Sequence, residues 1–186
     1  MFIGSYSAPA AKSLKAKVYA SLLALAAAVA LPQAAHLLGY ATGTGNAIGS
    51  ILLPMHFAIL ALGLFAGPYA GLIAGALSPL VSFLLTGMPS AAVLPFMVAE
   101  LAGYGFAAGL VASKDVHPAF KVAFALVAGR LLRTSVTAIA VFAFGVNAAV
   151  ADVWTAVVPG IPGILLQLIL IPLIVRAVER AARQRP

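Results

Sequence analysis

Six apolar stretches separated by short polar or glycine-rich breaks take up nearly all of this 186-residue chain, and they set its class before any motif is read. A membrane-spanning helix needs about 20 mostly apolar residues, so six leave only short connections and no room for a soluble catalytic domain. With 63% hydrophobic and 8% charged residues, the chain has too little polar surface to cover a water-soluble globule. The expected fold class is all-α: a polytopic membrane bundle of six transmembrane helices in one integral-membrane domain, residues 1–186. The spans are expected near 13–38, 51–66, 69–85, 91–112, 118–144 and 160–180. The first lies behind Lys12, Lys15 and Lys17 and is read as a retained helix, being longer than a signal-peptide core and lacking a clear cleavage site.

The breaks carry their own chemistry. Gly39–Ser50, with Gly43, Gly45 and Asn46, reads as an uncharged loop; Gly67-Pro68 marks a tight hairpin; Gly87-Met88-Pro89-Ser90 stops the third span. Gly145–Gly163, with Asn147, Asp152, Trp154 and Pro159, reads as a further loop. Lys12, Lys15 and Lys17, then Lys114 and Lys121, then Arg176, Arg180, Arg183 and Arg185 all fall on one side of the six-segment pattern. The opposite loops contain no Lys or Arg, so both termini are expected in the cytoplasm and the protein in the cell membrane. The formal charge of +7 is not interleaved with aromatics, which points to lipid headgroups in the bilayer and no nucleic-acid partner. There is no cysteine, hence no disulfide framework and no thiolate site.

Small residues recur at helical spacing, which in lipid permits close backbone approach. Ala20, Ala24 and Ala28 form a stripe in the first span, Gly71 and Gly75 sit one turn apart in the third, and Gly105 and Gly109 likewise in the fourth. Each spacing suits packing within the chain or against a partner subunit; the first-span stripe, the most extended, is expected to face a partner.

Two arginines break the one-sided pattern. Arg130 lies about 16 Å into the fifth span and Glu100 roughly 13 Å into the fourth from the opposite end, so the two can pair at similar depth. Arg133 shares a helical face with Arg130, Thr134 and Thr137. One carboxylate for two guanidiniums leaves a spare, and a lone charge at this depth costs at least about 2.5–3.5 kcal/mol, so the spare is expected to meet water, a carbonyl or a ligand. Arg133 is the expected ligand contact and Arg130 the structural one. His56, Gln167, Tyr104 and the Ser78/Ser82/Thr86 stripe reach the same outer half. Each has a plain structural explanation, such as back-bonding by serine and threonine or capping of a group freed by Pro54. Together they are expected to form a pocket open to the outside.

The chain lacks a Ser–His pair, paired aspartates, a zinc-protease motif and a phosphate loop, and the histidines at 36, 56 and 117 show no ligand spacing. No enzymatic activity, cofactor or metal is expected.

The residues resemble one family, the substrate-binding S components of energy-coupling factor (ECF) vitamin transporters. The resemblance rests on the six-helix size, the Ala20/Ala24/Ala28 stripe, Leu53-Pro54-Met55-His56, Gly67-Pro68-Tyr69-Ala70-Gly71, Leu85-Thr86-Gly87-Met88-Pro89, Glu100-Leu101-Ala102-Gly103-Tyr104-Gly105 and Pro162-Gly163-Ile164-Leu165-Leu166-Gln167. It implies a binding subunit without enzymatic activity that captures a vitamin or related small micronutrient outside. Such a subunit docks through Ala20, Ala24 and Ala28 onto an ECF transmembrane scaffold subunit served by two ATPase subunits. The implied gate is the loop Gly39–Ser50. The expected substrate contacts are Arg133, Arg130, Glu100, His56, Gln167, Tyr104, Ser82, Thr86 and Asn46. No motif names one vitamin; the two arginines favour a carboxylate or phosphate. The rival readings are a self-sufficient ion-coupled carrier, with Glu100 as proton relay, and a non-transport membrane scaffold protein.

Overall fold

The computed structural model describes residues 14–45 and 47–183; Asn46, Lys12 and Arg185 lie outside the described residues. Among the described residues all regular structure is helical: α1 (Leu14–Ala41), α2 (Ala47–Leu52), α3 (Pro54–Ala66), α4 (Pro68–Thr86), α5 (Leu94–Val111), α6 (Pro118–Phe144), α7 (Asp152–Thr155) and α8 (Val157–Arg183). They supply six stretches long and apolar enough to cross a membrane: Val18–Ala41, Ala47–Ala66, Pro68–Thr86, Leu94–Val111, Pro118–Phe144 and Val157–Val178. The chain is thus a six-helix membrane bundle. One end, the basic end, carries the start of α1, the Gly67 turn, the 112–117 link and the end of α8. The other, the glycine-rich end, carries the connections 42–45, 87–93 and 145–156.

Helix starts follow proline chemistry. Pro54, Pro68, Pro95 and Pro118 occupy first-turn positions, where the missing N–H has no intrahelical partner to lose. At the foot of α6 the His117 Nδ1 accepts from the Ala119 N–H at 3.2 Å. The buried Lys121 donates to the Ala112 carbonyl at 2.7 Å, setting a cation on the C-terminus of α5. His117 also contacts Arg176 of α8, which ties three helices together at the basic end.

Two loops are shorter than the sequence suggests. α1 continues through Gly39 to Ala41, and α2 occupies Ala47–Leu52 within the expected loop. Not every glycine there serves chain reversal. Gly43 and Gly45 turn the chain with positive φ, whereas Gly39 is helical and lacks a Cβ because the Gly45 carbonyl comes so close that one would meet it at 1.8 Å. Between Phe144 and the last span, α7 forms and α8 begins at Val157; Pro159 falls in the first turn of α8, where it is tolerated. The fourth span starts later than expected, at Leu94, after a turn over 91–93.

The second span is broken rather than continuous. Leu53 sits between α2 and α3 with φ 50° and ψ 49°, a left-handed conformation that costs a non-glycine residue roughly 1–2 kcal/mol. Three contacts hold it there: its N–H donates to Gly49 O at 3.1 Å, its carbonyl accepts from Phe57 N–H at 3.3 Å, and the Gln167 side chain reaches the same carbonyl from α8.

α5 is the central helix, with α4, α6 and α3 against it. A Cβ at Gly71 or Gly105 would fall 2.2 Å from the other's carbonyl oxygen, so the paired glycines of α4 and α5 are spent on packing inside the chain. In the alanine stripe of α1, Ala28 turns inward, which corrects the expectation that it faces a partner. Ala28 is fully buried in the core, and Ala20 and Ala24 are half-buried against it, because small side chains let α1 approach α3 and α4. The exposed face of α1 instead bears Tyr19, Leu23 and Leu37.

Candidate functional site

The intramembrane charges form one cluster. Glu100, fully buried on α5, meets both arginines of α6: Arg130 Nη1 lies 3.0 Å from Oε1, and Arg133 Nη1 lies 2.5 Å from Oε2. The Tyr104 hydroxyl, one turn along α5, donates to Oε1 at 2.6 Å. Arg130 Nη1 also donates to the Val153 carbonyl of α7 at 3.1 Å. Gly129 makes room for this arrangement, since a Cβ there would lie 2.1 Å from Tyr104 Cδ1. Neither guanidinium is left over, contrary to the expected spare arginine. The carboxylate has separate oxygens to offer the two, and three donors converge on it. The formal charge of the cluster is +1, and the Arg133 Nε is buried without a hydrogen-bond partner.

A separate cavity of about 270 Å³ opens at the glycine-rich end. Pro32 and His36 of α1, Gly49 and Ser50 of α2, the Leu53 joint, Pro54 to His56 of α3, Ser82 of α4, Met88-Pro89 and Met97 of α5 line it. The broken span builds one wall: the left-handed joint swings Leu53 and the first turn of α3 into the lining. His56 divides cavity from cluster. It lines the former and sets its ring on Tyr104, with centroids 5.3 Å apart and planes tilted by 50°. His36 and His56 each keep a buried Nδ1 with no hydrogen-bond partner.

The residues expected to touch substrate therefore divide. His56 and Ser82 line the cavity; Glu100, Arg130, Arg133 and Tyr104 form the cluster behind it and do not. Gln167 is fully buried, donates to the Leu53 carbonyl at 3.3 Å, and leaves its Oε1 unpartnered. Thr86 is exposed and bonds back to Ser82 O at 2.8 Å, closing α4, while Ser78 bonds back to Gly75 O at 3.2 Å. Asn46 lies outside the described residues. Sequence reasoning missed His36, Met88 and Met97, which come from three segments; no period links His36 to His56, because their elements run in opposite directions and meet only in the fold. Among the described residues no group of three or more His, Asp or Glu is placed to hold a metal ion.

Fold and burial together define a multi-pass membrane protein whose intramembrane charges are gathered inside the bundle and whose glycine-rich end holds a cavity. Comparison with protein-family models, curated proteins and solved structures finds no match to this chain.

Proposed function

We propose that this protein is the substrate-binding subunit of an ECF-type importer, which captures a vitamin or related small micronutrient outside and delivers it with a scaffold subunit and ATPases. The observation that carries the reading is the cavity at the glycine-rich end, walled by a broken span. In carriers, discontinuous helices frame binding sites because irregular backbone is tolerated at membrane depth only where it lines a cavity or is buried in protein. The connections at this end lack Lys and Arg, so we read it as external and both termini as cytoplasmic, in the cell membrane. Burial removes Ala28 from the docking surface, leaving the half-buried Ala20 and Ala24 and the exposed apolar faces of α1 and α4 for a scaffold. The ion-coupled carrier would need Glu100 to load and release a proton, whereas three donors already occupy that carboxylate.

Affinity purification from native membranes tests the proposal. A transmembrane scaffold and two ATPases should co-purify with the chain. Solute uptake by the purified chain alone in proteoliposomes, driven by a proton gradient, would overturn it.

A further inference from the structure

The chain has four methionines, and the three within the described residues, Met55, Met88 and Met97, all line the cavity. Two of its three histidines, His36 and His56, line it as well. Among the described residues no charged side chain does. We infer that the cavity takes a compact, uncharged ring compound with a hydrogen-bonding edge, rather than the carboxylate or phosphate that the two arginines suggest; the inference rests on the binding-subunit reading and names its substrate class.

Three observations lead there. A volume of about 270 Å³ lies at the small end of ligand pockets, and the lining is almost wholly apolar. An ion entering it would shed water and meet no opposite charge, because Glu100 and both arginines are bonded to one another behind Tyr104 and His56. Thioethers are polarisable and adaptable and make favourable contacts with aromatic ring edges, so three of them from α3, the 87–93 turn and α5 suit a flat ring. An imidazole in its neutral form offers one donor and one acceptor, and His36 and His56 each have a buried nitrogen whose hydrogen-bonding capacity is unmet, so the polar edge of the ring belongs there. The cluster's residual charge of +1 ranks the excluded species: a cation is disfavoured more than an anion.

The test uses three nearly isosteric probes that differ in charge: nicotinamide (neutral), nicotinate (anion) and 1-methylnicotinamide (cation). Each is titrated into the purified full chain labelled at the methionine methyl carbons, with resonances assigned from Met→Leu variants. Nicotinamide should shift the Met55, Met88 and Met97 signals, through ring currents, at concentrations at least about tenfold lower than nicotinate, and 1-methylnicotinamide should be weakest. His36→Leu should weaken nicotinamide at least about tenfold, and Arg133→Lys should leave it unchanged, with the unliganded methyl spectrum showing that each variant is folded. Preference for either ion, an Arg133→Lys loss as large as that of His36→Leu, or no shift with any probe would overturn the inference. Co-purification of the scaffold and ATPases is read separately, so failure of the substrate class and failure of the importer reading remain distinct.

Discussion

The charge cluster and the cavity are neighbours, divided by one pair of rings, yet they treat polarity in opposite ways. In the cluster a buried carboxylate receives three donors, and Arg130 adds a bond to α7. In the cavity two imidazoles keep unmet nitrogens. The charges hold α5, α6 and α7 together, although the buried Arg133 Nε stays unmet, and the unmet nitrogens on cavity-lining residues are those of the two imidazoles. Depth in the membrane draws attention to the arginines; the lining of the cavity redirects it to the histidines.

That contrast breaks most easily at Glu100. Glu100→Gln leaves two guanidiniums without their counter-charge and should lower stability by about 3–5 kcal/mol, read as a fall in the unfolding midpoint in detergent. An unchanged midpoint would show that the cluster is not what joins α5 to α6. Gly105→Ala forces a Cβ against the α4 backbone and should cost about 1–3 kcal/mol by the same measurement. Arg130→Met and Arg133→Met sharpen the comparison within the cluster. Arg130 alone reaches the Val153 carbonyl, so its loss should exceed that of Arg133 by about 1 kcal/mol. Gln167→Leu removes the side-chain donor from the Leu53 carbonyl and should cost about 1 kcal/mol. His36→Leu should change stability least, by about 0.5 kcal/mol or less, while weakening ligand binding; a large drop in its unfolding midpoint would place His36 with the structural groups.

Much of the fold was legible because a bilayer enforces it. Span number and approximate position follow from hydropathy, and α6 runs over the expected 118–144. The polar residues of the cluster stood out for the same reason: an ionised side chain at that depth needs a partner. What failed was inference from residue type alone. Gly39 and Gly49 resemble turn residues but sit in helices, Gly39 pressed on the Gly45 backbone and Gly49 on the His36 ring. The alanine stripe fits a partner and its own bundle equally well until the position of α3 is known. The cavity was the least visible part, since thioethers and a histidine look like ordinary span residues until α1, α3, α4 and α5 converge.

Leu53 and Gln167 are separated by 114 positions in sequence, and their bond has a bearing on how the protein is made. Synthesis proceeds from the N-terminus, so α1 to α6 emerge before α8 exists. Until that last helix arrives, the left-handed joint lacks its side-chain donor and the close backing of Gly160 and Gly163. The cavity wall is therefore completed late in biogenesis, and a nascent chain halted before α8 carries the first five spans with the joint at Leu53 unsupported from that side.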